Sequence, residues 1–234
     1  MTAPNEFIEI EENLKEIQAK VSEAVRRYRP ETAVDIMAVT KTVPPEKINF
    51  AVSKGLTLLG ENRVQEFLSK KDSYDKSAQV HMIGHLQTNK VKYIINDVAM
   101  IQSVDSLKLA GEINKHAAKN NKVMDILLEV NIGDEASKSG VDKNSLFQLA
   151  EQIQPLENIR LRGLMAIPPI GADEKIFEQM NILYNELKDK KLGNSLIDTL
   201  SMGMSGDYEL AIKHGSTLVR IGTKLFGARK YLEV

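Results

Sequence analysis

An alternation of short apolar runs with longer amphipathic segments constrains this chain most. The short runs are rich in β-branched residues and nearly continuous in hydrophobicity, which is typical of parallel strands covered on both faces. They predict eight strands: Val34–Val39, Leu56–Leu59, Val80–Ile83, Val98–Ser103, Asp125–Val130, Leu161–Ile167, Leu196–Ser201 and Thr217–Ile221.

The segments between these runs repeat apolar residues at helical spacing. The predicted helices are Phe7–Tyr28, Pro45–Lys54, Asn62–Lys71, Ser106–Lys119, Val141–Ile153 and the segment that carries Ile176, Met180, Leu183 and Leu187. Because parallel strands need crossover helices, eight strands separated by helices predict an α/β fold, a single (β/α)8 barrel of the TIM type. We expect one domain over residues 1–234.

An open doubly wound sheet is the alternative architecture. It is disfavoured because no Gly-x-Gly-x-x-Gly sequence follows the first predicted strand. Few residues follow the eighth predicted strand, fewer than a closing helix needs. We therefore expect the extra N-terminal helix, with its apolar stripe of Ile10, Leu14 and Ile17, to cover the barrel there rather than to bind a partner protein.

Composition excludes several classes of protein. Lysine and arginine number 31 against 32 aspartates and glutamates, so no overall positive charge favours nucleic acid. The absence of cysteine excludes disulfides, thiolate metal sites and cysteine nucleophiles. The acidic first dozen residues are unlike a signal peptide, and no apolar run approaches membrane-spanning length. We expect a soluble, cytoplasmic monomer with no membrane or nucleic-acid partner.

Lys41 is the first candidate for chemistry, because active sites of such barrels lie at the carboxyl ends of the strands. It follows the first apolar run, so its amine is expected at the barrel mouth. Partial burial lowers the pKa of a lysine, and the neutral amine can attack a carbonyl to form a Schiff base. The alternative is a lysine that only extends to solvent at a strand end.

The ends of the last two predicted strands offer an anion site. Ser205 precedes a short predicted helix that ends at Gly215, and we predict Ser205 as its N-cap. A helix N-terminus presents free N–H groups to an anion. Gly222 and Thr223 add backbone N–H groups and a hydroxyl from the neighbouring strand, where barrels often bind phosphate. With Lys41, these residues predict a phosphorylated carbonyl compound as the ligand.

Seven segments in collinear order resemble the YggS/PROSC family of pyridoxal phosphate homeostasis proteins. They are Ala38–Thr42, Gly60–Glu66, His81–Lys90, Ser137–Gly140, Arg162–Ile167, Leu200–Ser205 and Val219–Thr223. The resemblance runs from about Lys41 to Arg229. Two positions depart from the family pattern: His85 stands where a proline is common, and Arg63 where an aromatic residue is frequent.

The resemblance implies the barrel of the alanine racemase N-terminal domain (a fold type III protein) and pyridoxal 5′-phosphate (PLP) as cofactor, carried on Lys41. It also implies roles for six further residues around the cofactor. Ser205, Gly222 and Thr223 would hold the phosphate, Arg220 would face the pyridine nitrogen, and Asn62 and Met165 would line the surroundings. No catalytic residue and no metal ligand is expected, since His81 and His85 straddle a strand and its loop.

An arginine at the pyridine nitrogen restrains carbanion chemistry. Arginine only donates hydrogen bonds, so the ring nitrogen stays unprotonated and is a poorer electron sink. Racemisation also needs a second acid–base group, which alanine racemases take from another domain. We therefore expect a non-enzymatic protein that carries or buffers PLP in vitamin B6 homeostasis; a small PLP-dependent racemase or decarboxylase and a class I aldolase are the alternatives. Expected partners are PLP, other B6 vitamers and apo forms of PLP-dependent enzymes.

Overall fold

Eight parallel strands close into a barrel in sequence order, as predicted. The computed structural model of the protein describes residues 4–133, 139–193 and 195–228. The strands are β1 Asp35–Val39, β2 Leu58–Glu61, β3 Gln79–Met82, β4 Met100–Val104, β5 Met124–Val130, β6 Ile159–Ala166, β7 Thr199–Ser201 and β8 Leu218–Ile221. β8 pairs with β1 to complete the ring, which rules out the open sheet.

Helices follow the strands around the outside. They are α1 Pro4–Tyr28, α2 Pro45–Ser53, α3 Val64–Lys70, α4 Val91–Ile94, α5 Leu107–Lys119, α6 Leu146–Gln152, α7 Glu174–Asp189, α8 Tyr208–Lys213 and α9 Thr223–Phe226, with 3-10 turns at Lys71–Ser73, Thr88–Lys90 and Lys143–Ser145. Two begin at side-chain caps that satisfy free N–H groups: Ser106 accepts from the Leu109 N–H and Asp173 from the Lys175 N–H. Among these described helices, none has the length and hydropathy that crossing a membrane requires.

The N-terminal helix fills the gap beside the last strand, as predicted. α1 packs against α8, α9 and α2. Its apolar stripe, including Ile10, Leu14 and Ile17, is buried in the main core between barrel and helices. The Asn13 amide donates to the carbonyl oxygen of Leu225 in α9 at 3.2 Å. The helix therefore supplies the cover that the short α9 cannot.

Side chains inside the barrel form two small apolar clusters rather than a pore. Met37, Ile83 and Leu218 pack together on one side. Met100, Leu127 and Met165 pack together on the other. Gly163 in β6 allows the close approach of β7, because a Cβ at this position (φ 145°) would lie 1.9 Å from the Thr199 carbonyl oxygen.

Two local predictions were wrong, and two short elements were not predicted. Ser205 does not cap the helix that follows it: α8 begins after Asp207, whose Oδ1 accepts from the Met204 N–H at 2.6 Å in the turn before the helix. β7 is shorter than predicted, because the residues before Thr199 bond to β6 without regular strand geometry. The turn at Thr88–Lys90 and α4 were not predicted, since they are too short to show helical periodicity.

Candidate functional site

The pairing of β1 with β8 brings the predicted lysine and the predicted anion site together. Ala38 is opposite Ile221 in this pair, so Lys41, just beyond β1, and Gly222–Thr223, just beyond β8, emerge side by side. All three residues line one cleft of about 1100 Å³, whose other walls come from α1, α2 and α9. A Cβ at Gly222 would lie 3.4 Å from the Val39 Cβ, so the chain passes close to β1 here.

Lys41 lies in a tight turn with strained backbone. The Val43 N–H donates to the Thr40 carbonyl oxygen at 3.1 Å, which closes a β-turn with Lys41 and Thr42 at its centre. Thr42 has φ 63°, a conformation that a β-branched residue rarely adopts. Such strain persists only where surrounding contacts enforce it.

Two charged side chains of α3 enforce this turn. A carboxylate oxygen of Glu66 accepts from both the Thr42 N–H and the Lys70 ammonium, each at 2.5 Å. The Lys70 ammonium also donates to the Thr40 carbonyl oxygen at 3.0 Å. The Glu66–Lys70 pair therefore fixes the backbone on both sides of Lys41.

A buried carboxyl lies behind the same turn. Glu61, the last residue of β2, is fully buried, and its Oε1 accepts from the Thr40 hydroxyl at 2.6 Å and the Tyr74 hydroxyl at 2.5 Å. Burial raises the pKa of Glu61, although these hydrogen bonds oppose the rise. Its Oε2 is buried and, among the described residues, has no hydrogen-bond partner.

Sequence reasoning missed these supports of Lys41. Glu61 and Glu66 both belong to the segment Gly60–Glu66, in which the sequence predicts a site role for Asn62 and a departure from the family pattern at Arg63. The available signal was an acidic residue directly after an apolar strand, where a charge must be either bound or paired. Nothing in the sequence connects Tyr74 or Lys70 to this site, because their contacts depend on how α3 packs.

The anion site has free backbone donors at its centre. The Gly222 carbonyl oxygen accepts from Leu225 and Phe226, as at the start of a helix. No hydrogen bond between described residues uses the N–H of Gly222 or Thr223. The Ser205 hydroxyl oxygen lies beside them, where it accepts from the Lys224 N–H at 3.3 Å. Ser205 therefore joins this group of residues, although it does so through α9 instead of its own helix.

Arg220 lies deeper, inside the barrel. It is buried; its Nη1 donates to the Ser201 hydroxyl at 2.6 Å and its Nη2 to the Ala166 carbonyl oxygen at 2.7 Å. Burial lowers the pKa of Arg220 to about 10, and the charges of Glu129 and Asp207 oppose that shift. The guanidinium is therefore protonated at neutral pH and acts only as a donor.

Four of the predicted site residues do not line the cleft that holds Lys41: Ser205, Arg220, Asn62 and Met165. The Asn62 Oδ1 is buried without a described partner, and the backbone of this residue packs against Gly84, where a Cβ would lie 2.3 Å from the Asn62 carbonyl oxygen. Met165 is fully buried among the side chains inside the barrel.

The remaining motif positions lie at the rim. His85 and Arg63 are exposed, and the His85 Nδ1 lies 3.7 Å from an Asp105 carboxylate oxygen. Of the segment Ser137–Gly140, residues 137 and 138 lie outside the described residues, as does residue 229. Ser139 is described, and its hydroxyl donates to the buried Glu129 Oε1 at 3.0 Å.

Comparison with known proteins identifies the family. The family model for the alanine racemase N-terminal domain matches residues 12–230. The pyridoxal phosphate homeostasis protein of Aquifex aeolicus strain VF5 is 44% identical over 226 residues, which cover 94% of this chain and 98% of that protein. The chain belongs to the pyridoxal phosphate homeostasis protein family. The Pasteurella multocida Pm70 member is 44% identical over 230 residues, covering 95% and 98% of the two chains.

Solved structures agree with this assignment. The structure of PipY from Synechococcus elongatus PCC7942 with PLP bound has a TM-score of 0.82 and 30% identity, and covers 93% of this chain and 100% of PipY. An alanine racemase of Clostridium difficile 630 has a TM-score of 0.74 at 17% identity and shares the fold. The match covers 95% of this homeostasis-family chain but 58% of the racemase.

Proposed function

We propose that this protein binds PLP and carries or buffers it in vitamin B6 homeostasis, with the cofactor attached to Lys41 through a Schiff base. The observation that carries the proposal is the single cleft lined by Lys41, Gly222 and Thr223. Its family relatives are named for pyridoxal phosphate homeostasis, and the PipY structure is described with PLP bound.

The residues at the mouth fit the chemistry of this cofactor. PLP, when bound, supplies an aldehyde that reacts with a primary amine and a phosphate that needs hydrogen-bond donors. The chain offers the Lys41 amine and, beside it, the N–H groups of Gly222 and Thr223, which have no acceptor among the described residues. Ser205 and Thr223 add hydroxyl donors, as neutral side chains often do at phosphate sites.

Arg220 would set the protonation state of a bound pyridine ring. The guanidinium is protonated and held by Ser201 and Ala166, so it can only donate toward a ring nitrogen. A ring nitrogen that accepts a hydrogen bond remains uncharged and withdraws electrons weakly. This supports binding without turnover, in line with relatives named as homeostasis proteins. A small amino-acid racemase is the alternative function.

Asn62 and Met165 complete the proposed surroundings of the cofactor. Asn62 would contribute its Oδ1, which has no hydrogen-bond partner among the described residues, and Met165 its apolar side chain inside the barrel. The finer parts of the role concern partners: other B6 vitamers would share the phosphate site, and apo forms of PLP-dependent enzymes would receive the cofactor. The protein would act in the cytoplasm as a monomer.

The visible spectrum of PLP-loaded protein tests the attachment. We expect the absorbance of a lysine-bound cofactor in the wild type and in Lys47→Ala, and its loss in Lys41→Ala. Lys47 is a matched control because it lines the same cleft but pairs with Glu6 at 3.1 Å. Unchanged absorbance in Lys41→Ala would refute the assignment. Sustained racemisation of common amino acids by the loaded protein, followed by chiral chromatography, would favour the racemase.

A further inference from the structure

Four buried polar side chains form a continuous hydrogen-bonded chain through the barrel interior. Arg220 of β8 bonds to Ser201 of β7 at 2.6 Å, Ser201 to Gln102 of β4 at 2.7 Å, and Gln102 to His81 of β3 at 2.9 Å. All four residues are buried. This chain crosses the barrel from the strand beside Lys41 to the opposite wall.

Arg220 can only donate, and this fixes which group donates and which accepts in every hydrogen bond of the series. Because a guanidinium cannot accept, the Ser201 Oγ accepts from Arg220 and its single O–H donates to the Gln102 Oε1. The amide nitrogen of Gln102 then donates to the His81 Nδ1. An Nδ1 that accepts leaves the ring proton on Nε2, so His81 is a neutral Nε2–H tautomer.

The surroundings of His81 agree with a neutral ring. Burial lowers the pKa of His81 to about 4; the nearby charge of Arg162 lowers it further, and that of Asp125 opposes the shift. At neutral pH the His81 Nδ1 is therefore available as the acceptor at the end of the chain.

The hydrogen-bonded series also determines which N–H groups of Arg220 have no acceptor among the described residues. Of the five N–H groups of a guanidinium, one is used by Ser201 and one by the Ala166 carbonyl oxygen. The direction of the others depends on where the Ser201 oxygen presents its lone pair, which depends in turn on the amide of Gln102.

We infer that Gln102 is a positioning residue, which acts through Ser201 to aim the free Arg220 N–H groups at the ring nitrogen of the cofactor. The inference rests on the proposed function. It differs from a purely structural role, in which each bond would only satisfy its own two buried groups and a change at one end would not reach the other.

The first test uses the unloaded protein and nitrogen NMR of the His81 ring. In the wild type and in Ser103→Ala, the His81 Nδ1 resonance is expected at the position of an unprotonated acceptor. In Ser201→Ala, which removes no contact of His81, the Gln102 Oε1 loses its donor, the amide can turn, and part of His81 shifts its proton to Nδ1. Ser103 is a matched control because it follows Gln102 and its buried hydroxyl has no described partner.

The second test uses PLP-loaded protein and compares Gln102→Leu, Gln102→Glu, Ser201→Ala and the Gln102→Leu/Ser201→Ala double variant. We expect both Gln102→Leu and Ser201→Ala to weaken PLP binding about tenfold and to change the visible spectrum alike. The double variant is expected to bind PLP no more weakly than the single variant with the lower affinity, because both substitutions act through the same series of hydrogen bonds. Gln102→Glu keeps an acceptor for Ser201 and is expected to retain near-wild-type binding, which gives a result even where Gln102→Leu fails to fold.

Three results would overturn the inference. An unchanged His81 ring in Ser201→Ala would show that the bonds are independent. Effects of Gln102→Leu and Ser201→Ala that multiply in the double variant would show that Gln102 does not act through Ser201. A wild-type spectrum and affinity in both single variants would show that Gln102 does not act on the cofactor. Both results would leave the proposed function intact. A wild type that takes up no PLP would instead remove the proposed function, and with it the role of Gln102.

Discussion

The two ends of the barrel differ in how completely their buried polar and charged groups are paired. At the amino ends of the strands, Asp125 accepts from Arg160 at 2.7 Å and from Arg162 at 2.5 Å, and Arg162 also pairs with Asp198. Every charge in this group has an opposite charge beside it, and the pKa values of Arg160 and Arg162 are raised by these bonds.

At the carboxyl ends, buried polar atoms remain without partners among the described residues. They are the Glu61 Oε2, the Asn62 Oδ1, the Ser103 Oγ and the Glu129 Oε2, whereas away from this end only the Gln154 Oε1, after α6, lacks a partner among the described residues. The strained Thr42 lies at the same end, beside Lys41. Unpaired buried groups and strained backbone cost stability, so they are retained where they serve binding. One end of this barrel therefore maintains the fold, and the other is arranged for a ligand.

Asp125→Ala tests the stabilising end. Removing this carboxylate leaves Arg160 and Arg162 facing each other at a partly buried site, and we expect the free energy of unfolding to fall by about 3 kcal/mol. Asp97→Ala, which breaks an exposed pair with Lys71, should cost less than about 1 kcal/mol. Denaturant unfolding measures both. Equal losses of unfolding free energy in the two variants would contradict a stabilising role of the amino end. A loss of PLP binding in Asp125→Ala would show that this end also serves binding.

Ser205→Ala and Thr223→Ala test the binding end. Each removes a hydroxyl from the proposed phosphate site, and we expect PLP binding to weaken by about 1–3 kcal/mol with little change in unfolding. Thr57→Ala, at the amino end of β2, is the control. Equilibrium titration with PLP measures the effect, and full retention of PLP in both variants would show that the phosphate is bound elsewhere.

His81, which lies inside the barrel between the two ends, should make the stability of the fold depend on pH. Its pKa is about 4 in the folded protein and near 6.5 when unfolded, so between these values only the unfolded state binds the proton. Stability therefore rises with pH across this window, and we expect a loss of about 2 kcal/mol on going from pH 8 to pH 5. The slope should flatten in His81→Asn and persist in His85→Asn. A wild-type slope in His81→Asn would contradict this assignment.

Glu129→Gln should raise the stability of the fold slightly, because a buried carboxylate at the binding end costs free energy when it is ionised. Burial raises the pKa of Glu129. Between the pKa of the unfolded state and the raised pKa, only the folded state keeps the proton, so stability falls as pH rises across this range. The amide keeps an acceptor for the Ser139 hydroxyl and cannot ionise. We expect a gain of about 1 kcal/mol at pH 8, measured by thermal unfolding against Glu129→Ala. A less stable Glu129→Gln would indicate that the charge itself is needed.

The sequence predicted the barrel because near-continuous apolar strands and amphipathic helices are local patterns. All eight strands lie within a few residues of their predicted positions, and α1 covers the expected gap. Lys41 and Gly222–Thr223 could be placed together because β1 and β8 must be neighbours in a closed barrel.

The supports of the site could not be predicted in the same way. His81 and Gln102 interrupt apolar strands, and which interior residues meet across a barrel depends on the stagger of all eight strands. The cap of α8 was misassigned because Ser205 and Asp207 are equally good capping residues in sequence. Only the folded turn shows that Ser205 bonds to α9 instead.

Borohydride reduction of the PLP-loaded protein, followed by peptide mass spectrometry, tests the central claim most directly, because it fixes the cofactor to the amine that holds it. The account predicts a pyridoxyl group on Lys41, and none on the nearby Lys47 or Lys70. A reduced cofactor on another lysine, or an unmodified Lys41 in protein that has taken up PLP, would contradict it.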